Sequence, residues 1–302
     1  MFKVLLSPRE DPMSYEKYWD ELTYPMLASP KLDGIRCVIK EGRCKSRKYI
    51  DLPSMQAHEV FGGLEHFDGE LIAGNPTEPD VYNRTQSMVM SRDKYFPDLR
   101  YYVFDWTEPG YLDRPFEERF QLAADRINTF LLGYPRLQLV PHTVVNSKEQ
   151  LMIFEEDCLL LGYEGIMLRN PKGIYKNGRA TWRQNIIKKL KRFQDDEAVI
   201  IGFIEAMDNY NEDIRDNLGN AKRSKRMEGM FAAGTLGKFI CSFNGMEIEV
   251  PPGVLDHTER EVIWNNQELY EGKILKFRHF PFGVKDKPRF PRFVGWRTTE
   301  DM

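Results

Sequence analysis

The chain has 302 residues, 41% of them hydrophobic, and its 43 Lys and Arg stand against 46 Asp and Glu for a formal net charge of −3. That balance suits one large domain or two smaller ones with real cores, and it excludes both a disordered chain and a uniformly basic nucleic-acid coat. The cysteines Cys37, Cys44, Cys158 and Cys241 show no CxxC pairing and no histidine at ligand spacing, which argues against zinc and for reduced thiols. The N-terminal apolar run is too short for a signal peptide and no stretch approaches a membrane span, so a soluble, intracellular protein is expected.

In chain order, residues 27–50 read as strand, turn, strand, with Cys37-Val38-Ile39-Lys40 and Arg43-Cys44-Lys45-Ser46-Arg47 flanking Glu41-Gly42. Lys31-Leu32-Asp33-Gly34-Ile35-Arg36 then lies where a loop enters that hairpin. Asp68-Gly69-Glu70-Leu71 follows. Residues 98–106 are rich in aromatic and β-branched side chains and predict a buried strand carrying Phe104. Residues 115–132 open with proline and acids and predict a helix. Ser147-x-x-Gln150 is a capping box, after which Leu151, Phe154, Cys158 and Leu161 recur on one helical face until Gly162. Glu164, in Glu164-Gly165-Ile166-Met167-Leu168-Arg169, is expected to begin the next strand. Lys188-Lys189-Leu190-Lys191 closes the first part, and the domain boundary falls near residue 195.

Beyond it, residues 197–204 predict a strand that polar residues 208–213 interrupt. The basic run Lys222-Arg223-Ser224-Lys225-Arg226 predicts a surface excursion, equally consistent with solvated decoration and with a phosphate-binding loop. Strands over 238–243, 246–250 and 273–279 around a helix at 257–266 suit a five-stranded Greek-key barrel of oligonucleotide-binding type.

The chemistry-bearing segments supply, in order, what an amine needs to attack a nucleotide phosphate. A lysine titrates ordinarily at about 10.4, so a nucleophilic one needs positive neighbours or desolvation to lower it. Lys189 and Lys191 alternate along a strand and would face the same way, where they could both depress Lys31 and hold an α-phosphate. Glu70 and Glu164 each stand beside glycine, where a carboxylate can reach a ribose hydroxyl or a divalent metal; solvated turn acids are the alternative. Phe104 by pattern alone is a core residue. No G-x-x-x-x-G-K-[ST] occurs, which excludes a P-loop enzyme.

Together with the run from Ala28 to Cys37 and residues 216–224 and 288–301, these segments resemble the ATP-dependent DNA ligases of the minimal, virus-encoded kind over nearly the whole chain. That resemblance implies an α+β protein. A nucleotidyltransferase domain of antiparallel sheets with flanking helices would occupy residues 1–195, and a small OB-fold β-barrel residues 196–302, with a latch loop around 208–230. It implies that Lys31 takes AMP from ATP, that Glu70 meets the ribose, that Phe104 stacks on adenine, and that Ser29, Asp33, Arg36, Lys189 and Lys191 complete the nucleotide contacts. Glu164 and Asp68 would serve magnesium, with manganese as a substitute. Arg289, Arg297 and Asp301 would orient pyrophosphate. Arg47 would meet the 5′-phosphate of a nick, Arg179 would belong to the DNA-facing wall, and Lys222, Arg223, Lys225 and Arg226 to the latch.

The expected partner is nicked duplex DNA, met by a monomer with no obligatory protein partner and without the separate N-terminal DNA-binding domain of larger relatives. RNA ligases and GTP-using capping enzymes share the lysyl-nucleotide chemistry; the second domain argues against the former, and the C-terminal likeness against the latter. A nick-binding module without catalysis would require the loss of Lys31, Glu70, Glu164, Lys189 or Lys191, and all are present.

Overall fold

A computed structural model describes residues 2–8, 22–130, 134–191, 193–217, 221–224, 226–280 and 287–297. The chain divides into two compact units, Met1–Lys191 with Arg215–Asn220, and Arg192–Ile214 with Ala221–Met302.

The first unit contains β1 (Met26–Pro30), β2 (Ile35–Lys40), β3 (Arg43–Lys45), β4 (Phe67–Ala73), β5 (Leu99–Trp106), β6 (Leu137–Leu139), β7 (Thr143–Val145), β8 (Ile166–Arg169) and β9 (Ile187–Leu190). They form two sheets, in the orders β3-β2-β4-β5-β6 and β7-β1-β8-β9. Every ladder is antiparallel except β5 with β6, which is parallel. The helices are α1 (Met55–Phe61), α2 (Val81–Val89), α3 (Phe116–Phe130) and α4 (Lys148–Leu160).

The period of two decides which side chains reach the cleft. In the second sheet Met26, Ala28, Ile166, Leu168 and Leu190 join Leu151 and Cys158 of α4 in one core. Their alternates Ser29, Met167, Arg169, Ile187 and Lys189 line a cleft instead. In the first sheet Cys37, Ile39, Phe67, Leu71 and Tyr101 pack against Ala57 and Phe61 of α1, Met88 and Val89 of α2, and Ala123 and Ile127 of α3. Each such fully buried Phe or Leu contributes about 1.5–3 kcal/mol.

Strand β5 breaks the alternation usefully. Asp68 pairs with Asp105 but Gly69 with Val103, so Phe104 is the extra residue of a bulge. The phase shift lets Tyr101, Val103 and Trp106 all enter one core. Phe104 and Asp105 are left together on the opposite side.

The predicted hairpin is present as β2 and β3, with Glu41 and Gly42 at φ 58° and 68° in the turn. On α4 the Ser147 hydroxyl accepts from the Gln150 amide as the capping box requires. One expectation fails there: Leu161 is 65% exposed, because the helix ends at Leu160, and Glu155 turns inward instead. Glu164 stands two residues before β8 rather than at its start.

In the second unit β10 (Gln194–Asn209), β13 (Met230–Phe243), β14 (Met246–Val250), β15 (Ile274–Phe280) and β16 (Arg289–Trp296) form an antiparallel sheet ordered β14-β13-β10-β15-β16. Strand β10 runs through Asp208, past the expected break. A helix α5 (His257–Asn265), capped reciprocally by Asp256 and Glu259, adds Ile263 to a core of Ile200, Leu236, Phe239, Phe277 and Phe293. Among the described residues no ladder joins β14 to β16, which suits the partly open five-stranded barrel of oligonucleotide-binding type that was expected. The short ribbon β11 (Asp213–Arg215) and β12 (Ala221–Arg223) forms a separate two-stranded sheet. Among the described residues no helix is long and apolar enough to cross a membrane, and all four cysteines are free and buried.

Candidate active site

Two close backbone approaches bring Lys31 and Glu164 together. The Lys31 amide donates to the Gly165 carbonyl at 2.8 Å, tying the turn after β1 to the turn before β8. Gly165 has φ 146°, and a Cβ there would lie 2.3 Å from the Leu190 carbonyl oxygen. Gly34 is pressed on β4: a Cβ would stand 2.4 Å from Leu71 O and 2.5 Å from Ile72 Cδ1. Gly34→Ala is therefore expected to cost about 1–3 kcal/mol by overpacking and to displace Lys31. A lowered urea midpoint with impaired nucleotide transfer would show it; an unchanged midpoint would mean that β4 yields freely.

Lys31 and Lys191 both donate to the Glu164 carboxylate, one to each oxygen. Burial works to depress the Lys31 ammonium, but Glu164, helped by Glu70 and Asp33, more than offsets it, and the net shift is upward. The expected depression by Lys189 and Lys191 is therefore not the resting arrangement, because Glu164 intervenes between cation and cation. Burial would raise Glu164 too, yet its two lysines hold it down to about 2. By linkage the Glu164 contribution to stability is present above the ordinary carboxylate range and is lost as pH falls toward 2. The Lys31 contribution is present below the ordinary lysine range and is lost as pH rises through its raised folded value.

Glu70, opposite Arg36 in the β2–β4 ladder, is pushed up to about 7, chiefly by burial and against the pull of Arg36 and Lys31. Near neutral pH it is thus divided between acid and carboxylate, and can both donate to and accept from a hydroxyl.

The remaining charges form two buried clusters. Arg36 donates Nε and Nη2 to the two Asp68 oxygens at 2.6 and 2.7 Å, Tyr175 donates to the same carboxylate at 2.7 Å, and Arg36 Nη2 also reaches Leu5 O at 3.3 Å. Asp68 is fully buried in these contacts, which commit its carboxylate to Arg36 and Tyr175. Arg36 faces the cleft chiefly through its guanidinium, 4.5 Å from the Phe104 ring centre. In the second cluster Asp105 accepts from Arg119 Nε at 2.9 Å and from Arg169 Nη1 at 3.1 Å, with both Asp105 and Arg119 fully buried.

The cleft, about 270 Å³, is lined by Lys31, Ser29, Arg36, Glu70, Phe104 and Lys189 from the predicted set, with Arg47 and Arg179 at exposed positions. Asp33 does not line it, and acts on it through its field at Lys31. Sequence reasoning missed Leu6 and Ser7, Arg169, Val140 and His142. Arg169 was inside a quoted motif and could have been found; the others carry no local signal. Leu6 and Ser7 are held by Arg179, whose Nη1 donates to Ser7 O at 2.6 Å.

Arg289 and Arg297 lie in the second unit, where Arg297 donates to Glu197 at 2.7 Å. Lys222, Arg223 and Arg226 are exposed on or beside the β11–β12 ribbon, and Arg223 pairs with Asp213 at 2.7 Å. Lys225 and Asp301 lie outside the described residues.

The family described as ATP dependent DNA ligase domain matches residues 10–191, and that described as DNA ligase OB-like domain matches residues 229–297. The DNA ligase of Enterobacteria phage T4 is 24% identical over 162 residues, 53% of this chain but 29% of that protein, so the match spans under a third of the phage relative. The DNA ligase of Haemophilus influenzae is 23% identical over 278 residues, 90% of this chain and 85% of the relative. The crystal structure of Chlorella virus DNA ligase-adenylate is 29% identical, with a TM-score of 0.55 and 99% of each chain covered.

Proposed function

Because the chain belongs to the ATP-dependent DNA ligase family, we propose that it seals 3′-hydroxyl/5′-phosphate nicks in duplex DNA through a covalent Lys31–AMP intermediate. The observation that carries this reading is the cleft lined by Lys31, Lys189, Glu70 and Phe104, together with Glu164, which pairs with both Lys31 and Lys191.

The chemistry is three displacements at phosphorus. The free Lys31 amine attacks the α-phosphate of ATP; a P–N bond forms, the bond to pyrophosphate breaks, and the lysine proton leaves. The 5′-phosphate of the nick then displaces Lys31 from AMP. Finally the 3′-hydroxyl attacks that phosphate and expels AMP. Lys189 and Lys191 offset charge on the α-phosphate, Glu70 engages the ribose, Phe104 supports the base, and Arg36 positions Phe104. Magnesium, when bound, supplies charge neutralisation at the phosphates. Among the described residues no cluster of three acidic, histidine or cysteine groups forms a cage. Glu164 alone fits a hard cation that is shared with substrate phosphates.

Arg289, Arg297 and Asp301 would act on pyrophosphate from the OB-like module. Arg47 and Arg179 would meet the nick, and Lys222, Arg223, Lys225 and Arg226 the duplex, with one copy of the chain sufficing. Removing Lys222 and Arg226 together is expected to weaken nick binding and to flatten its salt dependence by about one unit of log–log slope per phosphate contact. An unchanged slope would remove the ribbon from the DNA interface.

The pH dependence follows from the Lys31 pair. Its ammonium is favoured and must lose a proton, so the reactive fraction grows about tenfold per pH unit below the raised value. Accordingly kcat/KM for ATP in lysyl-nucleotide formation is expected to keep climbing through neutrality, without a plateau below about pH 9. Levelling off at neutral pH would mean that Lys31 is deprotonated before ATP arrives.

The deciding experiment incubates the protein with labelled ATP and magnesium, then adds a nicked duplex, following covalent label and strand joining together. Label that forms and then yields sealed DNA supports the proposal. Label that never reaches DNA would redirect it to RNA ends, and no label at all would defeat it.

A further inference from the structure

His142, between β6 and β7, lines the cleft, as do Val140 and Arg169. Its ring packs against Phe120 and Phe116, with centroids 4.4 and 5.4 Å away, so its orientation is fixed. Its Nδ1 lies 3.0 Å from the Val140 carbonyl oxygen. A carbonyl can only accept, so the neutral ring carries its proton on Nδ1. That leaves Nε2 a lone-pair acceptor, and it has no hydrogen-bond partner among the described residues. Burial keeps the ring neutral by pushing it down to about 4, with the Arg169 charge acting in the same direction and the Val140 contact against it. Such a group stays an acceptor throughout the physiological range.

The residues that share the cleft with it give the acceptor a purpose. Lys31, Glu70 and Lys189 are the groups suited to phosphates and ribose, while Phe104, Met167, Val140 and His142 make the aromatic and apolar part suited to a base. Adenine carries an amino donor at its six position where guanine carries a carbonyl acceptor. A fixed acceptor facing that edge attracts the first and repels the second, and its own lone pair goes unsatisfied if the base lacks the amino group.

We propose that His142 is a specificity-determining residue whose Nε2 accepts a hydrogen bond from the six-amino group of the adenine base, selecting ATP over GTP. The inference rests on the reading of this cleft as the nucleotide site. It adds to that reading a recognition group outside the lysyl-nucleotide motifs.

The test compares lysyl-nucleotide formation from ATP, GTP and purine riboside triphosphate, which lacks the six-amino group, in the unaltered protein, His142→Leu and His142→Gln. The unaltered protein should prefer ATP to purine riboside triphosphate by about tenfold in kcat/KM, the worth of one such hydrogen bond. In His142→Leu that gap should close and the discrimination against GTP should shrink. His142→Gln, which retains an acceptor oxygen, should keep much of the gap. Both variants should change KM and retain kcat at saturating nucleotide, since the contact precedes the chemical step. An undiminished gap in His142→Leu, or a loss of kcat equal to the change in kcat/KM, would overturn the proposal. Failure of the unaltered protein to label from any of the three nucleotides would instead overturn the assignment of the cleft, and the inference with it.

Discussion

Lys31→Ala is expected to reduce covalent labelling from ATP to background while leaving nick binding within about twofold of the unaltered protein. The physical reason is that no other amine can replace it. Lys191 pairs with Glu164, and Lys189 enters the cleft from β9, two strands away from β1 in the same sheet. Lys31→Arg should be equally silent, because a guanidinium stays protonated and has no free lone pair for attack. The sharper outcome concerns a nick already carrying AMP on its 5′-phosphate. Sealing it requires only the 3′-hydroxyl displacement, so Lys31→Ala should still join such ends. Residual label on the alanine variant would refute the nucleophile assignment. Loss of both label and joining of the pre-adenylated nick would give Lys31 a second duty in the final step.

Asp105→Ala is expected to be the most destabilising single change, at about 3–5 kcal/mol, the range for removing one partner of a buried ion pair. Asp105 is the carboxylate that meets both Arg119 and Arg169, and all three side chains are at most 4% exposed. Without it two guanidinium groups face each other in an apolar surround that includes Phe116, 4.8 Å from Arg169. Urea denaturation checks the magnitude, and a loss below about 1 kcal/mol would mean that water or rearrangement takes over the role of Asp105. The triple change of Asp105 to Leu with Arg119 and Arg169 to Met should recover much of the stability, since an apolar replacement of a buried ion cluster is often neutral. It should not recover nucleotide affinity, because Arg169 lines the cleft.

These two expectations mark what was legible in the sequence. Lys31, Glu70, Glu164, Lys189 and Lys191 stand in short motifs whose spacing is set by local backbone geometry, and they were readable for that reason. Gly34 and Gly165 belong with them, since each marks a place where two strands approach too closely for a side chain. The bulge at Phe104 was not readable, because strict alternation along β5 puts that ring on the same face as Trp106 and opposite Tyr101, and only the pairing with β4 shows the slipped phase. The buried setting of Asp68 was not readable for a similar reason: its partners Arg36 and Tyr175 lie 32 and 107 residues away. His142 gave no signal at all, being a lone histidine whose meaning comes from the ring stack around it. On α4, a period count carried the apolar face one residue past the end of the helix, to Leu161.

The N-terminal segment carrying Leu6 and Ser7 has a temporal consequence. Apart from the nearer contact of Arg36 with Leu5 O, the hydrogen bonds described for it run to partners 170 to 174 residues later in the chain, at Tyr175, Asn177 and Arg179. Contacts of such separation carry a loop-closure cost that must be met before they stabilise anything, and they form late. A growing chain therefore leaves this segment without most of its partners until residue 179 has left the ribosome, and the cleft lacks the wall that Leu6 and Ser7 supply before that moment. Nucleotide, which can bind only the completed cleft, would then act as a ligand of the finished state and draw the last docking step to completion.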